Sequence, residues 1–240
     1  MATWEDVLIK CHQNYLITHP NSNEKIKPAH EWIKEKLEEE LGPDYVVSTE
    51  YIIKGKFYDK RVDVVILKKG LPKGVVSFKF VSSNYSQNSN NYFENLIGEC
   101  YNIQMNKIPF CHVLVIRKNM PYFEDGGTFR KLEIISKEHL IKYLSLSKAK
   151  GYGSPKMISI SIVHIEGDSK NEEIIHSTKF RKNYDLQSEK EKKKLLDPIS
   201  VEISCPDDFE DIQDELNKLE INKVLREFAN IVKRRGLFNF

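Results

Sequence analysis

Residues 61 to 81, RVDVVILKKGLPKGVVSFKFV, decide how the chain is read. Two runs of strand type, KRVDVVILKK (60 to 69) and GVVSFKFV (74 to 81), flank GLPKG, whose Gly and Pro suit a tight connection, so they predict an antiparallel hairpin. Side chains alternate across a strand, which puts Arg61, Asp63, Val65 and Leu67 on one face of the first run and Val75, Ser77, Lys79 and Val81 on one face of the second. An acid thus stands in the middle of RVDVVIL, where apolar neighbours are expected. In a normally paired hairpin Asp63 and Lys79 project from the same side of adjacent strands. A half-buried ion pair accounts for any single such couple; the surrounding sequence asks for more.

Before the hairpin, YVVSTEYII (45 to 53) reads as a further strand, and AHEWIKEKLEEEL, after Pro28, as a helix with Ile33, Leu37 and Leu41 on its buried side and Gly42-Pro43 as its stop. Residues 1 to 19 form an amphipathic helix by periodicity, with Trp4, Val7, Leu8, Cys11 and Tyr15 on one stripe. After the hairpin comes a polar stretch, SSNYSQNSNN, then a helix in NNYFENLIGECYNIQM with Phe93, Leu96, Ile97, Cys100 and Gln104 along one side. FCHVLVIRK (110 to 118) is apolar enough for a strand buried on both faces. Further on, residues 123 to 135 read as a loop entering a short strand, Ser136 caps a helix, and residues 156 to 166 alternate as a strand. Gly167 to Lys194 is a charged surface excursion, and the C-terminal helical segment carries acids first and bases last, as the helix dipole favours.

The 240 residues suffice for one domain with elaborations. A net charge of +2, from 37 basic and 35 acidic side chains, argues against a general polycation, so an anionic partner must meet a local patch. Cys11, Cys100, Cys111 and Cys205 lack metal-ligand spacing and read as reduced intracellular thiols. With no long apolar window, the expectation is a soluble cytoplasmic protein.

The order helix, three strands, helix, strand, with Asp63 on the second strand and Ser77-Phe78-Lys79 on the third, resembles the PD-(D/E)xK superfamily, and within it type II restriction endonucleases. The resemblance covers residues 28 to 118. It implies an α/β (α+β) fold with a restriction-endonuclease-like core: a central mixed sheet flanked by helices. Residues 1 to 240 would form a single endonuclease domain, with 28 to 118 as catalytic core and 119 to 240 as an elaboration for DNA recognition and dimer contacts. The family motif is an acid on the second strand, then acid-x-Lys on the third. Here Val62 precedes Asp63 where Pro is usual, and Ser77 replaces the acid, a poorer ligand for a divalent cation than a carboxylate. Some members with the same Ser-x-Lys form recover the carboxylate from the following helix, which here offers Glu94 and Glu99. Helix phase favours Glu94, on the flank of the stripe Phe93, Ile97 and Cys100, with Glu99 as the alternative.

A helix glutamate before the first strand often supports the metal in this superfamily; Glu31, Glu35 and Glu38 stand there at helical spacing and Glu50 lies on the first strand, and of these Glu31, near the start of its helix, and Glu50 are the candidates. Asp63, Ser77, Lys79 and Glu94 are thus the expected catalytic set, with Mg2+ or Mn2+ held by Asp63 and Glu94. Asn84, Tyr85, Gln87, Asn88, Asn90 and Asn91, with Arg130 and Lys131 of the Gly126-Gly127 loop, are candidate DNA contacts. The activity so implied is Mg2+-dependent cleavage of double-stranded DNA at a short specific site by a homodimer, partnered by a cognate DNA methyltransferase. The rival readings are a repair or mobile-element nuclease of the same fold, and a non-catalytic DNA-binding protein with a degenerate site.

Overall fold

The computed structural model describes residues 2–18, 22–170, 173–204 and 207–237; Met1 and His19 of the first helical segment, Asn171 and Glu172 of the charged excursion, and Cys205 lie outside them. Helices α1 (Trp4–Ile17) and α2 (Lys27–Leu41) precede the strands β1 (Val46–Lys54), β2 (Asp59–Lys68) and β3 (Leu71–Val81). Helix α3 (Tyr85–Gln104) leads to β4 (Phe110–Arg117), and β5 (Asn119–Phe123) and β6 (Phe129–Ile134) form a separate hairpin. Then come α4 (Lys137–Lys148), β7 (Met157–Glu166), the short β8 (Ser169–Lys170) and β9 (Glu173–Ile174), α5 (Ser177–Asp185), α6 (Glu189–Leu196), β10 (Ser200–Ile203), α7 (Gln213–Lys218) and α8 (Ile221–Leu237).

The central sheet has six strands in the order β1-β2-β3-β4-β7-β10. β1, β2 and β3 pair antiparallel, β4 lies parallel to β3 and β7 parallel to β4, and β10 closes the far edge antiparallel to β7. The fold is therefore α/β, with a mixed sheet between helical layers. On one face Val64, Ile66, Val76, Phe78 and Val113 pack against α1, α2 and α8; on the other Val65, Leu67, Val75 and Leu114 pack against α3 and α4. Both faces being covered, β4 is buried along its whole length, as its apolar composition predicts.

Three details depart from the sequence reading. The β2–β3 connection is only Lys69-Gly70, both with positive φ (52° and 73°), a twisted two-residue turn that lets β3 begin at Leu71; Pro72 is accommodated beside a register shift at Ile66/Leu67. Helix α3 starts at Tyr85, so the stretch expected to be a linker is its first turns: burial of Tyr85 overrides the weak helix propensity of the Ser and Asn residues around it. Residues beyond 118, read as an elaboration, also complete the central sheet, with β7 and β10 extending it and α8 packing on α2. No helix among the described residues is long and apolar enough to cross a membrane.

Candidate active site

β1 and β2 pair so that Thr49 faces Val64 and Tyr51 faces Val62, which sets Glu50 opposite Asp63. Like charges directly across an antiparallel pair repel. Glu50 nevertheless holds this place, with a left-handed φ of 52° that is uncommon outside glycine. Regular alternation also fails at this point: Val62 packs with Val65 and Leu67 rather than with Val64, so Asp63 sits at a crease in β2.

Helix α2 lays His30 over the two carboxylates. Its Nδ1 is 3.2 Å from Glu50 Oε1 and its Nε2 3.9 Å from Asp63 Oδ1, while the side chain is buried. Ligand atoms of His30, Glu50 and Asp63 all lie within 4.8 Å of one another. Nε2 is buried and has no hydrogen-bond partner, a costly state for a polar atom. With a proton on Nδ1 shared with Glu50, Nε2 presents its lone pair to the same space as the carboxylates. Two opposed carboxylates and an orphaned imidazole nitrogen form a donor set that a divalent cation satisfies at once. The other oxygen of Asp63, Oδ2, accepts a 2.7 Å hydrogen bond from the Phe78 amide, which fixes the carboxylate between β2 and β3.

On its other side Asp63 borders a cavity of about 190 Å³, shared with Ser77, Lys79, Tyr92, Glu99 and His112. Lys79 rests with Nζ 4.2 Å from the centre of the Tyr92 ring. Burial, reinforced by the nearby charge of Lys25, holds its pKa below the ordinary lysine value, and Asp63 opposes the shift. Glu99 moves the other way: burial raises its pKa and Asp63 adds to this, while Lys60, 3.4 Å away, pulls it back. His112 pairs in register with Ser77 on the neighbouring strand. Burial and the charge of Lys79 push its pKa down to about 3, so the imidazole is neutral.

The structure thus brings Asp63, Ser77 and Lys79 together as the hairpin reading requires, and adds Glu99 rather than Glu94. The correction has a simple origin. The buried stripe of α3 runs through Leu96, Cys100 and Ile103, with Tyr92 packed on the same cluster. At 100° per residue Glu94 lies roughly 160° from Leu96 and is exposed, whereas Glu99 lies about 60° away on the flank. Phe93 and Ile97 are only partly buried, so a stripe centred on them places the two glutamates the wrong way round. Glu50 joins the cluster; Glu31 does not, and instead accepts a hydrogen bond from Thr49 Oγ1 and pairs with Lys34. Its neighbour His30 takes the position, and went unread because it belongs to no HxH or HExxH spacing. The available signal was phase: His30 continues the stripe of Ile33, Leu37 and Leu41, which places a histidine on the sheet-facing side of α2.

Of the candidate DNA contacts, Tyr85 is in the core, its hydroxyl donating to the His139 carbonyl, which corrects its reading as a surface group. Asn84 is half-buried and pins β5: its Oδ1 accepts from the Phe123 amide and its Nδ2 donates to the Phe123 carbonyl. Asn88 turns inward on the helix, donating to the Asn84 carbonyl. Gln87, Asn90 and Asn91 are exposed. Arg130 and Lys131 lie on β6 rather than in a loop, beside Glu124 and Glu133 respectively. Cys11, Cys100 and Cys111 are buried free thiols, the first two pushed up to about 12 by burial.

No family model and no curated protein matches the chain. Among solved structures, one described as the crystal structure of a protein of unknown function, AF1548, aligns over 86% of this chain and 96% of that chain, at 13% identity and a TM-score of 0.30.

Proposed function

We propose that the chain is a metal-dependent nuclease that hydrolyses phosphodiester bonds in DNA. The observation that carries this reading is the position of Asp63, shared between the His30–Glu50 donor set and the cavity holding Lys79 and Glu99. His30, Glu50 and Asp63 would hold Mg2+ or Mn2+, the imidazole nitrogen favouring the softer Mn2+. Such an ion would supply Lewis acidity toward the phosphate and a more acidic water. Lys79 places a positive charge where the developing negative charge of the phosphorane is expected and, as an ammonium, orients the attacking water. Glu99, its pKa raised by burial, can in its ionised form receive a proton from the attacking water at the same cavity. Ser77 stands where the related motif carries an acid, and neutral His112 beside it can donate or accept a hydrogen bond without adding charge.

The succession α2, β1, β2, β3, α3, β4 is consistent with a PD-(D/E)xK core. The finer reading is a type II restriction endonuclease: a homodimer cutting double-stranded DNA at a short site, with a methyltransferase partner. Incubating the protein with phage DNA and Mg2+ or Mn2+ tests it. Discrete fragments support restriction; structure-dependent cuts turn the reading to repair or mobile-element work; intact DNA removes the nuclease reading.

A further inference from the structure

Beyond the cavity, aromatic rings stand in solvent on an unusually firm support. Phe57 and Tyr58, on the β1–β2 turn, are 64% and 51% exposed, Tyr101 on α3 is 40% exposed and Tyr152 is 59% exposed. Phe57 and Tyr101 stack at 5.9 Å with an interplanar angle of 6°, and Tyr101 meets Tyr152 edge to face at 6.3 Å. The turn is clamped from below by Asn102, itself buried: its Oδ1 accepts from the Phe57 amide at 2.8 Å and its Nδ2 donates to the Tyr58 carbonyl at 3.0 Å. Gly55 permits the approach, because a Cβ there would lie 2.0 Å from Asn102 Nδ2. A buried side chain and a sterically required glycine are thus committed to presenting aromatic faces to water.

Beside Tyr152 opens a cavity of about 390 Å³ whose charged lining is Lys107, Lys156 and Arg235, with no carboxylate among its described lining residues. Flat rings followed by cations match the two parts of a nucleotide. We propose that this strip binds an unpaired stretch of nucleic acid, its bases stacking on Phe57, Tyr101 and Tyr152 and its phosphates meeting Lys107, Lys156 and Arg235. Paired bases keep their faces inside the duplex and cannot use such rings; unpaired bases can, whatever their sequence. A protein partner would leave three clustered cations unanswered unless it were acidic.

The strip shares its supports with the cavity of Asp63. Tyr101 and Glu99 lie two residues apart on α3, and Tyr58 is two residues from Lys60, which pairs with Glu99. The inference rests on the nuclease reading for its biological sense, and it favours a structure-specific substrate over plain duplex.

The test is fluorescence-anisotropy titration of labelled oligo-dT with the full chain in EDTA, where no cleavage is needed. Phe57→Ala and Tyr101→Ala should each weaken binding about 5- to 150-fold, while Tyr101→Phe retains it. Lys107→Ala and Arg235→Ala should each reduce the slope of log affinity against log salt by about 0.7. Oligo-dT affinity unchanged by the two aromatic truncations, or duplex competing as well as single strand, overturns the proposal. So does loss of self-association in sedimentation velocity with oligo-dT binding intact, which would make the strip an interface between copies. If oligo-dT binding behaves as stated while the wild-type chain cuts no DNA, the strip stands and the reading of the Asp63 cavity falls.

Discussion

Replacing Asp63 with Asn should make the metal-free protein more stable, not less. The ligand atoms of Glu50 and Asp63 lie within 4.8 Å. Two unit charges at that separation repel by about 1 kcal/mol in a water-like dielectric and by about 3 kcal/mol at an effective dielectric near 20. Asp63 and Glu50 are 26% and 30% exposed, so screening keeps the repulsion near the lower figure. Asn retains an oxygen to accept the Phe78 amide, and the shape is unchanged. Urea unfolding at neutral pH in EDTA should therefore show Asp63→Asn about 1 kcal/mol more stable than wild type. In Mn2+ at 100 times its dissociation constant the wild type should gain about 2.7 kcal/mol, and the variant far less. The competing account is a structural ion pair between protonated His30 and the two carboxylates. It requires Asp63→Asn to destabilise the protein in EDTA, and that result would refute the reasoning.

Glu99→Gln should lower cleavage at least about 100-fold while Glu94→Gln leaves it within a factor of two, measured on one DNA substrate. The wild-type rate should rise with pH through a midpoint above the ordinary glutamate value, because burial raises Glu99, and that limb should be missing in the Gln variant. The folded state holds His112 neutral down to about 3, whereas the unfolded chain takes up a proton below its ordinary pKa, so stability falls as pH falls. Between pH 7 and pH 5 this single group removes about 2 kcal/mol, and the difference between wild type and His112→Gln in urea titrations isolates it. Gly55→Ala should cost about 2 kcal/mol by thermal unfolding, because its Cβ would meet Asn102 at 2.0 Å.

Where apolar periodicity is strong, the sequence already contains the answer. The β2–β3 hairpin and the doubly buried β4 stand where the residues indicate, and Asp63 and Lys79 face one cavity. The failures occur where a local rule meets a tertiary one. The first turns of α3 are poor helix formers, ordered by burial of Tyr85, so their polar residues read as a linker. Glu94 and Glu99 trade places because apolar Phe93 and Ile97 suggest a stripe whose centre belongs to Leu96 and Ile103. The crease that turns Val62 out of alternation lies across from Glu50, whose positive φ no residue type announces. His30 reaches Glu50 and Asp63 only because α2 packs across β1 and β2. No spacing in the chain encodes that contact.

The decisive experiment incubates end-labelled DNA, offered as duplex, single strand and a branched form, with the purified protein and Mg2+ or Mn2+, alongside Asp63→Asn and Lys79→Ala. The wild type should cleave phosphodiester bonds in at least one form, with cleavage abolished by EDTA and in both variants while each remains folded by circular dichroism. Cleavage undiminished in both variants, or no cleavage of any form by the wild type with metal bound, would contradict the nuclease reading.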